Sequence, residues 1–184
     1  MSPANMPFDA DLHARARHIK LLALDVDGVL TDGRLYYQDD GRESKAFNIL
    51  DGQGIRLLIQ SGVQVAIITG RESPVVTRRA HELGIEHVYQ HCSDKWTALG
   101  ELHAKLGIDA AQTAYCGDDL PDLYTISRVG LGLCVPNAPE YVRARARYVT
   151  HQLGGHGAVR EICELILQAQ GSWDEIVAHY CDGK

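Results

Sequence analysis

The chain has 184 residues, 45% of them hydrophobic and only 6 of them proline, which suits one compact core and leaves no length for a second full domain. A formal net charge of −6 argues against a nucleic-acid partner, and the local run Arg143, Arg145, Arg147 reads as a solvated helix end. No stretch approaches the ~18 consecutive apolar residues of a membrane span, and the segment up to His18 has no apolar signal core. With five cysteines and no C-x-x-C pair, the expectation is a soluble cytoplasmic protein with reduced thiols, no zinc site and no membrane partner.

The first strong element is the apolar run Leu21-Leu22-Ala23-Leu24, which leads into Asp25-Val26-Asp27-Gly28-Val29-Leu30-Thr31. A buried strand so placed delivers two carboxylates to its carboxyl end, where open α/β sheets hold their ligands. Side chains two apart on a strand share a face, and two carboxylates on one face repel or share a hard cation such as Mg²⁺. A calcium loop needs Gly at its sixth position and Glu at its twelfth. Counting from Asp25, Gly28 is fourth and Tyr36 is twelfth, which disfavours an EF-hand.

Gly33 to Phe47 then reads as a hairpin, with Leu35-Tyr36-Tyr37 and Arg42 to Phe47 joined by an Asp39-Asp40-Gly41 turn. It precedes a helix beginning near Asp51 and should project beside Asp25 and Asp27 as a flap. A strand at Val63 to Thr69 ends in Thr69-Gly70-Arg71, a hydroxyl, a bare backbone and a guanidinium suited to an anion. Ser73-Pro74 starts a helix that Gly84 stops, and a strand follows at His87 to Gln90. Ser93-Asp94 starts the next helix, which ends at Gly107. Lys95 at its beginning is an electrostatically poor place for a structural cation, so an anionic partner is implied.

The strand Thr113 to Cys116 runs into Cys116-Gly117-Asp118-Asp119-Leu120-Pro121-Asp122, three acids where a turn needs none. Further strands are expected at Val129 to Val135 and Arg147 to Thr150, with Asn137 capping a helix between them. A last helix spans Gly157 to Gln170, and the end after Tyr180 reads as frayed, with 181–184 a flexible tail. Strands alternating with helices predict an α/β fold, a Rossmann-like doubly wound parallel sheet in a single domain over 1–184, with the 33–47 hairpin as flap.

In this order D-x-D-G-V-x-T, T-G-R, Lys and G-D-D-x-x-D resemble the four motifs of the haloacid dehalogenase superfamily of phosphotransferases. The resemblance spans essentially the whole domain. Within that superfamily Thr31-Asp32-Gly33, Lys45-Ala46-Phe47-Asn48, Asp51-Gly52-x-Gly54-Ile55-Arg56, Ala66 to Arg71 and Gly154-Gly155-x-Gly157-Ala158-Val159-Arg160-Glu161 are similar to the 3-deoxy-D-manno-octulosonate 8-phosphate phosphatases of lipopolysaccharide biosynthesis. The chain departs from that pattern at His156, where an arginine is expected, and at Glu72, where a basic residue is common.

The resemblance implies a Mg²⁺-dependent sugar-phosphate phosphatase with a hairpin in place of a cap domain, assembled as a homotetramer in which a neighbour's hairpin covers each site. It makes Asp25 the nucleophile and Asp27 the acid and base. Asp25, Asp27 through its carbonyl and Asp118 become metal ligands, with Asp119 and Asp122 orienting them. Thr69, Gly70 and Lys95 would hold the phosphoryl group. Asn48, Ile49, Leu50, Asp51, Gly52, Arg56, Arg71 and Arg79, with Asp27 and Lys95, would bind the sugar acid, whose carboxylate suits guanidinium partners. A nine-carbon keto-acid sugar phosphate, a nucleoside monophosphate, or a non-catalytic sugar-phosphate sensor on the same scaffold are the alternatives.

Overall fold

The computed structural model describes residues 9–183. A short helix α1 (Ala10–Ala16) precedes the central strand β1 (Leu21–Leu24), and the hairpin strands β2 (Tyr36–Tyr37) and β3 (Glu43–Ser44) follow. Then come α2 (Ile49–Gln60), β4 (Gln64–Ile68), α3 (Pro74–Leu83), β5 (His87–Tyr89), α4 (Lys95–Leu106) and β6 (Thr113–Gly117). The chain closes with α5 (Leu123–Ile126), β7 (Leu131–Cys134), α6 (Glu140–Arg143), β8 (Tyr148–Val149), α7 (Ala158–Ala169) and α8 (Trp173–Cys181).

Six strands form one parallel sheet in the order β5-β4-β1-β6-β7-β8. Every residue of β1 is buried, as a strand covered on both faces must be, which explains its unbroken Leu-Leu-Ala-Leu run. The chain winds outward from β1 to β5, crosses back to β6 and winds outward again to β8. Right-handed crossovers then put α2 and α3 on one face and α4, α5 and α6 on the other. The packing agrees: α7 lies against α1, α2 and α8, while α4 meets α5. The order of strands reverses at β1, so the crevice at its carboxyl end is where a ligand fits.

Local signals place most elements. Ser73 precedes Pro74 at the first position of α3, and Gly84 ends that helix in the left-handed region. The Asp94 carboxylate accepts the Thr97 N–H at 3.0 Å, and Gly107 terminates α4. The β1 to α2 connection carries the two-stranded antiparallel hairpin, turned through Gln38 to Arg42 with Gly41 at φ +81°.

The structure corrects the expectation at Asn137, because α6 starts three residues later, after Pro139. Instead Asn137 is spent on a tertiary tie, its amide donating toward the Gly28 carbonyl at 3.5 Å and accepting the Gly154 N–H at 3.1 Å. The basic run is also more than a solvated face. Arg147 pairs with Asp11 at 2.7 Å and with Asp9, fastening α1 beside β8. Helix α8 was not foreseen, and it continues through Cys181, the first residue of the segment expected as a tail; Lys184 lies outside the described residues.

Candidate active site

Four strand ends converge on a cavity of about 530 Å³. Its walls include Asp25 and Asp27 after β1, Thr69, Gly70 and Arg71 after β4, Lys95 at the start of α4, and Asp118, Asp119 and Asp122 after β6. The β1 loop is shaped by Thr31, whose hydroxyl accepts the Gly33 N–H at 3.2 Å and the Gly28 N–H at 3.4 Å while donating to the Val26 carbonyl. The first predicted carboxylate is thereby held rigidly: Asp25 Oδ1 accepts the Val26 N–H at 2.7 Å and Oδ2 pairs with Lys95 Nζ at 2.8 Å.

Lys95 also donates to Asp122 Oδ1 at 2.6 Å, and the same oxygen receives the buried Tyr115 hydroxyl at 2.6 Å. The other Asp122 oxygen accepts the N–H groups of Asp118 and Asp119 at 3.0 and 3.1 Å. With four donors satisfied, Asp122 is an organiser of this loop, and its lone pairs are committed. Asp119 points outward and accepts the Tyr141 hydroxyl at 3.0 Å.

The electrostatics are crowded. Burial, with the charge of Asp122 added, outweighs Lys95 and pushes the Asp25 carboxyl up to about 6. Burial, then Asp25 and Asp122, push Asp118 up to about 7. Burial opposes the charge on Lys95, but its two carboxylate partners prevail and hold it protonated beyond its ordinary range. One ammonium therefore faces three acids whose oxygens lie within 4.8 Å of one another, the one such group among the described residues.

That set fits a hard divalent cation: all donors are oxygen, the negative charge is in excess, and Asp25 and Asp118 are the two members that metal would relieve. Gly28, at φ +87°, makes the approach possible, since a Cβ there would overlap the Asp118 carboxylate.

Residues 85–162 match the haloacid dehalogenase-like hydrolase family. Over 169 residues the chain is 50% identical to the 3-deoxy-D-manno-octulosonate 8-phosphate phosphatase KdsC of Escherichia coli (strain B / BL21-DE3), covering 92% of this chain and 90% of that protein. The chain belongs to the KdsC phosphatase family. The fold agrees. The Moraxella catarrhalis 3-deoxy-D-manno-octulosonate 8-phosphate phosphatase, solved with magnesium, phosphate and KDO, superposes with a TM-score of 0.92 at 51% identity over 94% of this chain and 99% of that one. The cobalt-bound Haemophilus influenzae deoxy-D-mannose-octulosonate 8-phosphate phosphatase gives 0.84 at 42% identity, over 86% of this chain and 93% of that one.

In this KdsC-family chain the residues expected to bind the sugar divide into two groups. Arg71 stands at the cavity, its Nη2 2.6 Å from Glu43 and its Nε 3.6 Å from Asp27. Asn48, Asp51, Gly52 and Arg79 gather instead at a separate narrow crevice between α2 and α3. Asn48 caps α2, accepting the Leu50 N–H at 2.8 Å. The buried Asp51 accepts the Arg160 N–H at 2.8 Å in the first turn of α7. Arg56 donates to the Glu82 carbonyl at 2.7 Å, and Arg79 pairs with the Glu82 carboxylate at 3.4 Å. Ile49 and Leu50 are 83% and 59% exposed. In the first turn of α2, Ile49 and Leu50 therefore face outward from the single chain while Asp51 and Gly52 face inward.

The sequence reading did not place His91, Cys92 and Ser93 at the site, taking Ser93 only as the start of a helix, yet all three line the cavity. His91 holds φ +54°, a left-handed backbone that no local sequence signal announces; closeness to Lys95 is the only cue. The two positions expected to depart from the family pattern lie outside the cavity walls. Glu72 is exposed, and His156 Nδ1 is 2.9 Å from the Gly154 carbonyl.

Proposed function

We propose that this chain is a Mg²⁺-dependent phosphatase that hydrolyses 3-deoxy-D-manno-octulosonate 8-phosphate to the free sugar acid and phosphate in lipopolysaccharide biosynthesis, working in the cytoplasm as a homotetramer. The observation that carries the reading is the Asp25–Lys95–Asp122 network beside Asp118 at the end of the central strand, in a chain half identical to phosphatases of that substrate.

Asp25 attacks phosphorus in line, the bond from phosphorus to the sugar oxygen breaks, and the phosphoryl group rests on Asp25. Asp27 donates a proton to the leaving sugar oxygen and then accepts one from the water that cleaves the aspartyl-phosphate, restoring Asp25. Lys95, fixed by two carboxylates, offers positive charge to the phosphoryl oxygens, and Thr69 and Gly70 line the same cavity to receive them. Asp25, Asp118 and the Asp27 carbonyl would hold Mg²⁺, with Asp119 and Asp122 shaping the loop around it. When bound, the ion neutralises the encounter of an anionic nucleophile with an anionic ester.

Arg71 at the cavity suits the sugar carboxylate. Among the other proposed sugar ligands, Asn48 to Gly52, Arg56 and Arg79, Ile49 and Leu50 are exposed, as are Leu35 and Tyr37 of the hairpin, and exposed apolar side chains of this kind favour assembly. In the assembled protein this edge completes a neighbour's site. Light scattering at assay concentration should give a tetramer, and a fully active monomer contradicts the assembly.

A phosphate-release panel with Mg²⁺ tests the substrate. A guanidinium–carboxylate hydrogen bond contributes about 1.5–3 kcal/mol, so kcat/KM for the octulosonate ester should exceed that for hexose phosphates by at least about tenfold. Equal efficiencies, or a nucleotide or nine-carbon ester as best substrate, would replace the sugar assignment and leave the phosphatase chemistry.

The raised carboxyls set a pH dependence. Protonated Asp118 and Asp25 cannot ligate, so Mg²⁺ affinity should fall at least about tenfold between pH 8 and pH 6, as first Asp118 and then Asp25 take up protons. In the metal-free protein the sign is opposite. A carboxyl raised in the fold contributes stability that is complete below its unfolded value of 3.8 and is lost as pH rises through about 6 and 7. Calorimetric titration across this range, and melts with and without Mg²⁺, check both.

A further inference from the structure

The hairpin reaches into the site through a closed ring of four charges. Lys45, just beyond β3, pairs with Asp27 Oδ1 and lies 2.8 Å from Glu43 Oε1. Glu43 Oε2 pairs with Arg71 at 2.6 Å, and Arg71 Nε faces Asp27 Oδ2 at 3.6 Å. The ring joins three segments distant in sequence: the β1 loop, the hairpin and the β4 loop. The Lys45 side chain is only 2% exposed, so it is a buried strut and not a flexible surface lysine.

A carboxylate's last torsion is soft and roughly two-fold, so an aspartate that must meet a leaving oxygen needs something to set its plane. Lys45 holds Oδ1 from the hairpin side and does not line the cavity, whereas Arg71, beside Oδ2, does. We propose that Lys45 is the positioning residue for Asp27: it binds Oδ1 so that Oδ2 faces the substrate and performs the proton transfer, which ties hairpin placement to catalysis. This rests on the acid and base role given to Asp27 above. Glu43 serves the same end by clamping Lys45 and Arg71 together.

The test reads leaving-group dependence. A sugar alkoxide needs a proton from Asp27 to leave, whereas 4-nitrophenolate departs without one. Lys45→Met should lower kcat/KM, which reports only as far as formation of the aspartyl-phosphate and so leaves out the later base step, about a hundredfold on octulosonate 8-phosphate and only several-fold on 4-nitrophenyl phosphate. Lys45→Arg, which keeps the charge but offers a planar fork, should show the same bias more weakly, and it carries the measurement if the methionine variant does not fold. Asp27→Asn should share the bias. Equal losses on the two esters in the Lys45 variants, or no loss on either, overturn the positioning role. Bias in Asp27→Asn without bias in Lys45→Met overturns that role alone, and absence of bias in Asp27→Asn removes the acid assignment and the proposal with it.

Discussion

Asp25→Asn lowers turnover by roughly a thousandfold or more while the protein still melts cooperatively. The amide oxygen continues to accept the Val26 N–H that Asp25 Oδ1 accepts at 2.7 Å, and Lys95 keeps Asp122 at 2.6 Å, so the loop geometry survives. What disappears is the anionic oxygen proposed as the nucleophile. Single-turnover phosphate release, with mass spectrometry of the trapped protein, checks the result: the wild type carries a transient phosphoryl group and the variant carries none. Turnover within tenfold of wild type would assign the nucleophile elsewhere.

Gly28→Ala is the second large effect. The added Cβ overlaps the Asp118 carboxylate, and an alanine at φ +87° carries backbone strain on the order of 1–3 kcal/mol. Relief comes by swinging the carboxylate away from Asp25, which removes one of the two side chains assigned to the ion. The concentration of Mg²⁺ giving half-maximal activity should rise at least tenfold, and calorimetry should find correspondingly weaker binding. Wild-type Mg²⁺ affinity in this variant would mean that Asp118 does not ligate.

The inner strands β1, β4, β6 and β7 were legible because each is a short, mostly apolar run ending in turn residues, and burial on both faces leaves little room for polar interruption. Helices α3 and α4 were legible at both ends, since Ser-Pro, Asp and Gly act locally. The carboxylates and Lys95 were legible as an ordered set at strand ends. Partners across the sequence were not. Nothing near Lys45 names Asp27, nothing in the Thr113 to Cys116 run says that the Tyr115 hydroxyl will seek Asp122, and Asn137 looked like a cap because its tie to Gly28 and Gly154 is long-range. Periodicity reports which face is buried; it does not report what meets there. The short helix α1 escaped for a related reason, because its Asp9 and Asp11 find Arg147 near the other end of the chain.

The Gly154-Gly155 turn lies flush against the loop after β1 that carries Asp25, the Gly155 N–H donating to the Val29 carbonyl at 2.9 Å, with no room for a Cβ at either glycine against Gly28 or Thr31. The turn that supports this loop lies some 130 residues further along the sequence than Asp25. The loop that carries Asp25 is therefore buttressed by a turn far along the chain, and deletions reaching back past Gly155 should abolish activity without removing a residue of the cavity wall.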